Sequence, residues 1–481
     1  MPLNTAALAR LLSSWFGRLA VGWRQWLGHR LGDRLAEKIN AILRSIALPV
    51  TILMLGLALL SYSRYPVSRL AAAPSFFEQP SAEQLAAEQP DETRGVWITN
   101  VASDVLFAPW GIPRALEQLA ELQFNTVYPV VWNRGKTFYR SSVLEKMTGQ
   151  SIEPLIALTH PREDPLAEMV RIGHEKNFKV LPWFEYGFMI PLDSPLAQQH
   201  PDWLTSRQNG SRRLKDNVFE VNASESNASE VNASELAKRR ENRGWLAQLL
   251  KSGAPQQLGW LNPMHPSVQG LLLSLVDEVV TRYNVDGVQF DDHFSLPVEF
   301  GYDDYTVALY KAEHQGQGPP SNPADEDWLR WRAGKLSKFM YILSAQVKAS
   351  CPSCRVSLSP NPAKFAYRFH LQNWRMWVRK GWVDELIVQI YRDDIAQFER
   401  ELDKDSLREA ARQIPVSIGI LTGTWRRPVA FEQIRQQVKS SRDRQFAGVS
   451  FFYWDTLWSY FTPEAPQRRR EQFNQLMAVE G

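Results

Sequence analysis

The chain has 481 residues, 44% hydrophobic and 22% charged, an ordinary globular composition with length for one large domain plus appendages. The formal net charge is +3, and much of the basic excess sits in the first 44 residues, so composition does not argue for nucleic acid. Two cysteines, Cys351 and Cys354, are too few for a four-ligand zinc site without histidine partners at ligand spacing.

The N-terminal segment 1–45 alternates apolar and basic residues at helical spacing in LLSSWFGRLAVGWRQWLGHRLGDRL. Such a segment suits the inner face of a membrane or a partner protein of the cell envelope. Ile46 to Tyr62 (IALPVTILMLGLALLSY) then runs 17 residues without a charge, which is short for a membrane span but sufficient. Arg10, Arg18, Arg24, Arg30, Arg34, Lys38 and Arg44 precede it, against Asp33 and Glu37. The positive-inside rule keeps this end in the cytoplasm and exports everything after Tyr62. A buried core helix is the alternative, but a linker rich in Pro, Ala, Glu and Gln follows over residues 63–91 rather than packed structure. A cleaved signal peptide is disfavoured by the long charged region before the apolar run, and by Ala71-Ala72-Ala73 lying well past it. The expectation is a retained single-pass anchor in the cytoplasmic membrane.

From Arg94 onward one unit repeats: a short apolar run, a polar loop, a helical stretch. The runs are Arg94–Asn100, Asn125–Trp132, Phe178–Tyr186, Val285–Asp292, Arg355–Asn361, Glu385–Tyr391, Pro415–Gly423 and Gly448–Asp455. Eight nearly all-apolar strands alternating with helices predict a parallel (β/α)8 TIM barrel over residues 92–465, with a C-terminal tail over 466–481. Residues 206–243 contain the imperfect repeat NASES-NASEV-NASEL, a low-complexity insertion on the rim after the third strand. Cys351 and Cys354 precede the fifth strand and read first as two loop cysteines, with a local disulfide the next choice.

In this architecture functional groups sit at the C-terminal ends of the strands and face inward. Strand residues alternate, so facing can be read. In the fourth run Gly287, Gln289 and Asp291 share one face, opposite Val288 and Phe290, which places Asp291 at the barrel mouth and Asp292 in the loop after it. The same reading turns Trp183 and Glu185 inward on the third run, Ser357, Ser359 and Asn361 on the fifth, and Gln389 and Tyr391 on the sixth. Arg134 follows the second run, Asp393 and Asp394 follow the sixth, and Asp455 ends the eighth beside Trp454. An acidic pair after a strand is often only a helix cap. Here several polar strand ends converge, and Asp291, Asp292 and Glu185 become the candidates for glycoside hydrolysis, which uses two carboxyl groups. Trp132, Trp183 and Trp454 are candidate sugar platforms, with Arg134, Asn361, Gln389, Tyr391, Asp393 and Asp455 as further substrate contacts. Asp291, Asp292 and His293 form an Asp-Asp-His run, but adjacent residues rarely chelate one ion together, so neither metal nor cofactor is expected.

The motifs RGVWIT, VYPVVWNRGKTFYRSS, VLPWFEYGF, WLNPMHP, YNVDGVQFDDHFS and VQIY, in this order, resemble glycosyl hydrolase-like family 10, bacterial barrels of which some act on the peptidoglycan glycan strand. The resemblance spans about Glu92 to Trp458 outside the insertion. It implies that Asp291 and Asp292 are the central acids, with Trp183 and Tyr391 nearby. Glu185-Tyr186 stands where much of the family has Asn-Pro. The fourth strand also resembles that of family 18 chitinases, but Gln289 and His293 replace two of its acids, and the seventh ends Leu421-Thr422-Gly423 without a glutamate. The expected function is a membrane-anchored glycoside hydrolase acting outside the cytoplasm on a polysaccharide, the peptidoglycan glycan foremost. The competing reading is a catalytically silent glycan-binding barrel tethered for envelope organisation.

Overall fold

The structure, a computed structural model, describes residues 92–101, 103–214, 257–424, 427–459 and 462–478. The expected anchor at 46–62 and its flanks lie outside the described residues. Among the described helices none is long and apolar enough to cross a membrane.

Eight parallel strands close into a barrel. They are β1 (Thr93–Ile98), β2 (Thr126–Asn133), β3 (Trp183–Phe184, led in by Lys179–Val180), β4 (Gly287–Asp291), β5 (Arg355–Ser359), β6 (Glu385–Gln389), β7 (Val416–Leu421) and β8 (Gly448–Phe452). β1 pairs with β2 on one side and with β8 on the other, which closes the ring. One helix per unit covers the outside: α1 (Gly111–Glu121), α2 (Pro165–Glu175), α3 (Pro266–Arg282), α4 (Glu326–Ser350), α5 (Trp374–Arg379), α6 (Asp405–Ala411), α7 (Phe431–Asp443) and α8 (Pro466–Met477). Their starts follow capping chemistry: Asp164 accepts from the first-turn amides of α2, and Asp325 from those of α4.

Three expectations change. Residues 466–477 are not a tail but the eighth helix of the barrel, and its Phe473 and Met477 are fully buried. The sequence hides this because QRRREQ makes most of the helix polar, with few apolar anchors to show its period. Cys351 and Cys354 are joined in a disulfide rather than being two separate loop cysteines. The insertion starts later than Ser206. Ser206 accepts from the amides of Gly301 and Tyr302, and Leu214 donates its amide to Leu258, so 206–214 belong to the framework. The repeat itself lies outside the described residues.

The third strand is also shorter than its apolar run. Pro182 has no amide hydrogen for the ladder, so pairing breaks between Val180 and Trp183. Pro182 still accepts from the Gln289 amide, which ties β3 to β4 at 2.8 Å. Inside the barrel, Gln289 accepts from Trp97 Nε1 at 2.6 Å and donates to Ser357 at 3.0 Å. Trp97 packs on Tyr128 and Trp183. This polar and aromatic layer is a rigid floor beneath the mouth. Gly95 on β1 makes room for it: a Cβ there would sit 2.3 Å from Ser450 Oγ and 2.8 Å from the Tyr128 ring. Gly95→Ala is therefore expected to cost about 1–3 kcal/mol, the usual cost of overpacking, seen as a lower urea midpoint at unchanged m-value.

Candidate active site

The C-terminal strand ends bring three carboxyl groups and one histidine together. Asp291 ends β4. Its Oδ2 accepts from Trp183 Nε1 at 3.1 Å, and its Oδ1 accepts from the His293 amide at 2.8 Å. Asp292 follows. Its Oδ2 accepts from Asn361 at 3.0 Å and its Oδ1 from Gln389 at 3.1 Å. Every one of these partners is an N–H, so the oxygens are used as a carboxylate uses them.

Glu185 lies just past β3 on the facing side. Thr99 Oγ1 is 2.9 Å from its Oε2 and 3.1 Å from its Oε1, and Asn133 donates to Oε2 at 2.9 Å. Burial first, and then the charge of Asp291, raise the Glu185 carboxyl to about 8, against the pull of Thr99 and Asn133. Glu185 is thus a neutral acid at pH 7 beside two aspartates. Because the amide occupies Oε2, Oε1 is the oxygen left to carry the proton.

His293 faces both aspartates. Its Nδ1 lies 3.2 Å from Asp291 Oδ1 and 3.5 Å from Asp292 Oδ1. Burial disfavours the imidazolium, but Asp291 and then Asp292 outweigh it and hold the ring's pKa up to about 9. Ligand atoms of Asp291, Asp292 and His293 fall within 4.8 Å of one another, a spacing that a cation could use. The three residues are consecutive in the chain, and adjacent residues rarely chelate one ion together.

The other candidates divide. Asn361, Gln389 and Trp183 hold the aspartates, as above. Tyr391 stands at the end of β6, its phenol pushed up by burial, then by Asp292 and Asp291. Arg134 adopts a left-handed backbone and lays its guanidinium over the Tyr186 ring at 4.6 Å. Asp455 sits in the turn after β8, raised to about 7 chiefly by burial, with Asp104 adding to it. Asp393 is exposed and paired with Arg427, outside the carboxyl cluster. Its neighbour Asp394 caps the helix Ile395–Leu402 through the Gln397 amide. Trp132 is not a sugar platform, because it is 1% exposed and its Nε1 donates to Gly187 O at 2.7 Å. Trp183 is likewise buried, and Trp454 keeps 9% exposure against Trp458. Trp132→Phe should accordingly cost about 1–3 kcal/mol of stability, from the Gly187 carbonyl left without its donor and the space the indole vacates, with no rise in KM for a glycan substrate; a large KM increase would restore the platform role.

Four supporting residues escaped the sequence reading. Thr99 directly follows β1, Asn133 ends β2, and both bind Glu185. The same rule of polar strand ends would have found them. Gln372 donates to the carbonyls of Asp291 and Phe294, and Trp260 stacks near His293 at 6.1 Å. Neither lies at a strand end of the barrel, so position in the chain offered no signal. A cavity of about 740 Å³ lies between α7, α8 and the start of β1, and none of these carboxyls lines it.

A family model described as glycosyl hydrolase-like 10 matches residues 92–220 and 217–441. The chain belongs to this family. Its class is accordingly that of glycoside hydrolases. Glycosyl hydrolase DigH of Escherichia coli (strain K12) is 25% identical over 399 residues, covering 72% of this chain and 75% of the relative. Glycosyl hydrolase YngK of Bacillus subtilis (strain 168) is 21% identical over 343 residues, 63% of this chain and 55% of its own length. Among solved structures, the glycoside hydrolase domain of PgaB (BpsB) from Bordetella bronchiseptica aligns with a TM-score of 0.50 at 12% identity, over 82% of this chain and 100% of that one. The catalytic domain of a β-amylase from Paenibacillus polymyxa gives 0.50 at 9% identity, over 80% and 98%. At these identities the structures show the barrel alone.

Proposed function

We propose that this glycosyl hydrolase-like 10 member is anchored in the cytoplasmic membrane by residues 46–62 and hydrolyses a polysaccharide outside the cytoplasm, the glycan strand of peptidoglycan. The observation that carries the chemistry is the division of labour among the carboxyls. Glu185 is held protonated, while Asp291 accepts from the Trp183 indole N–H and Asp292 from the Asn361 side-chain amide. Two carboxyl groups in different protonation states are what an acid-assisted glycosidic cleavage requires. Glu185 Oε1 protonates the leaving oxygen, and the C–O bond breaks with its electron pair on that oxygen. Asp291 attacks the anomeric carbon or activates the water that does. Asp292, tied to β5 and β6 through Asn361 and Gln389, orients it.

Export is supported by the basic flank of the apolar run and by the disulfide, which persists in oxidising compartments. The substrate rests on the family and on the anchor, which holds the barrel beside the wall. Purified peptidoglycan, intact or stripped of stem peptides, is to be incubated with the domain from about Ala82 onward, and released fragments read by mass spectrometry. New glycan ends, absent from an Asp291→Asn control, are the expected result and identify the bond cut. Binding without fragments would convert the reading to a tethered glycan-binding barrel. For the anchor, full-length protein should partition with membranes, and the barrel should be protease-accessible from the outer side only.

A further inference from the structure

His293 sits where three independent contacts meet. Its ring nitrogen faces both aspartates, as described. Its ring lies 4.6 Å from that of Tyr186 and 6.1 Å from that of Trp260. Its carbonyl oxygen would lie 2.5 Å from a Cβ on Gly187, whose φ is +32°, and it accepts from the Phe188 amide at 3.4 Å. Only a residue without a Cβ lets the loop after β3 come this close. Trp260 is itself fixed by donating to Ser295 O at 2.8 Å. The loop bearing Glu185 and the loop bearing the two aspartates are therefore locked to each other at one histidine.

We infer that His293 is a positioning residue: a buried counter-ion that keeps Asp291 and Asp292 charged side by side and fixes their placement against Glu185. Two carboxylates this close repel, and one would take up a proton without a cation between them. Were Asp291 the one neutralised, the site would lose the group placed to act as nucleophile or base, beside a Glu185 that is already neutral. The groups facing the ring are Asp291 and Asp292 from its own loop, Glu185 and Tyr186 from the loop after β3, and His370 from the helix Ala363–His370. Arg134 lies over the Tyr186 ring at 4.6 Å, and that ring in turn lies 4.6 Å from the imidazole. His370 is held neutral, lowered to about 4 by burial, so it adds no second positive charge near neutrality.

This role rests on the glycosidase reading for its catalytic consequence but not for its first test. Nitrogen-15 NMR of the imidazole rings, with His293→Gln to assign the signal, follows protonation directly in the exported domain. The His293 ring should remain protonated above pH 8 in the wild type, and should lose its proton at lower pH in the Asp291→Asn, Asp292→Asn double variant. A His293 ring already neutral at pH 7 in the wild type would overturn the inference, whatever the substrate. Two variants then separate charge from packing. His293→Gln keeps a hydrogen-bond donor without the charge, and His293→Phe keeps the ring without the donor. The expected result for His293→Gln is a tenfold or greater fall in kcat at little change in KM, with the acidic limb of the rate profile moved to higher pH. His293→Phe should lose more. An acidic limb that stays in place in His293→Gln, with kcat retained, would reduce the residue to packing.

Discussion

Asp291→Asn should lower kcat by roughly a hundred- to ten-thousandfold, the range that a positioned acid, base or nucleophile contributes. The amide is nearly isosteric but cannot act as nucleophile or base. It also meets the wrong partners. Oδ1 accepts from the His293 amide and Oδ2 from the Trp183 indole, so whichever oxygen becomes NH2 turns toward an N–H donor. The clash adds a stability cost of about 1–3 kcal/mol for the strained donor pair. The two effects separate by measurement. Circular dichroism and a modest drop in the thermal midpoint report the fold, and single-turnover rates on a glycan report the chemistry. Retained rates in a folded variant would remove Asp291 from the mechanism. Asp455→Asn provides the contrast: a buried carboxyl in the turn after β8, outside the His293-centred cluster, should leave most of the rate.

Much of this site was legible because a barrel strand forces its side chains to alternate. Gln289 and Asp291 share a face in the sequence and do so in the structure, where Gln289 binds Trp97 and Ser357 inside the barrel. Val288 and Phe290 turn to the helices, and Phe290 stacks on Phe184. All eight apolar runs contain barrel strands, since each is buried on both faces and needs no alternation to show itself. What alternation cannot give is distance through space. Trp132 reads as an aromatic at a strand end, and nothing local reveals that Gly187 will take its indole hydrogen. Asp393 and Asp291 look alike in sequence, each beginning an Asp-Asp pair at or just past the end of an apolar run. Arg427, from a segment 34 residues later, draws Asp393 into an ion pair. The final helix is missed for a different reason: its burial rests on a few residues, Phe473 among them, packed against Phe431 of α7 and Phe451 of β8.

Glu185 offers the sharpest test, because its expected behaviour depends on pH in a direction fixed by its environment. Its carboxyl is raised from 4.5 to about 8, chiefly by burial and then by Asp291, so the acid form needed for leaving-group protonation persists to mildly alkaline pH. Activity on a glycan should fall as pH rises through about 8, and Glu185→Gln should remove that limb along with most of the rate. A substrate whose leaving group needs no proton distinguishes an acid from a cleft-lining residue. An aryl glycoside with a strongly acidic phenol should lose far less rate in Glu185→Gln than the glycan loses. Equal losses on both would mean that Glu185 shapes the site instead. Stability follows the same sign. A group whose pKa is raised on folding stabilises the native state fully below its unfolded value of 4.5 and loses that contribution as pH climbs through about 8. The wild type should therefore weaken relative to Glu185→Gln between pH 5 and pH 9, by an amount on the order of a few kcal/mol, in paired urea titrations at the two pH values. The neutral glutamine keeps one acceptor for Asn133 and Thr99 and has no proton to lose, so its stability should lack this alkaline decline. A wild type and variant that run parallel across this range would show that Glu185 is ionised throughout, and the acid would then have to be sought at Asp455, the other carboxyl at the strand ends held near 7.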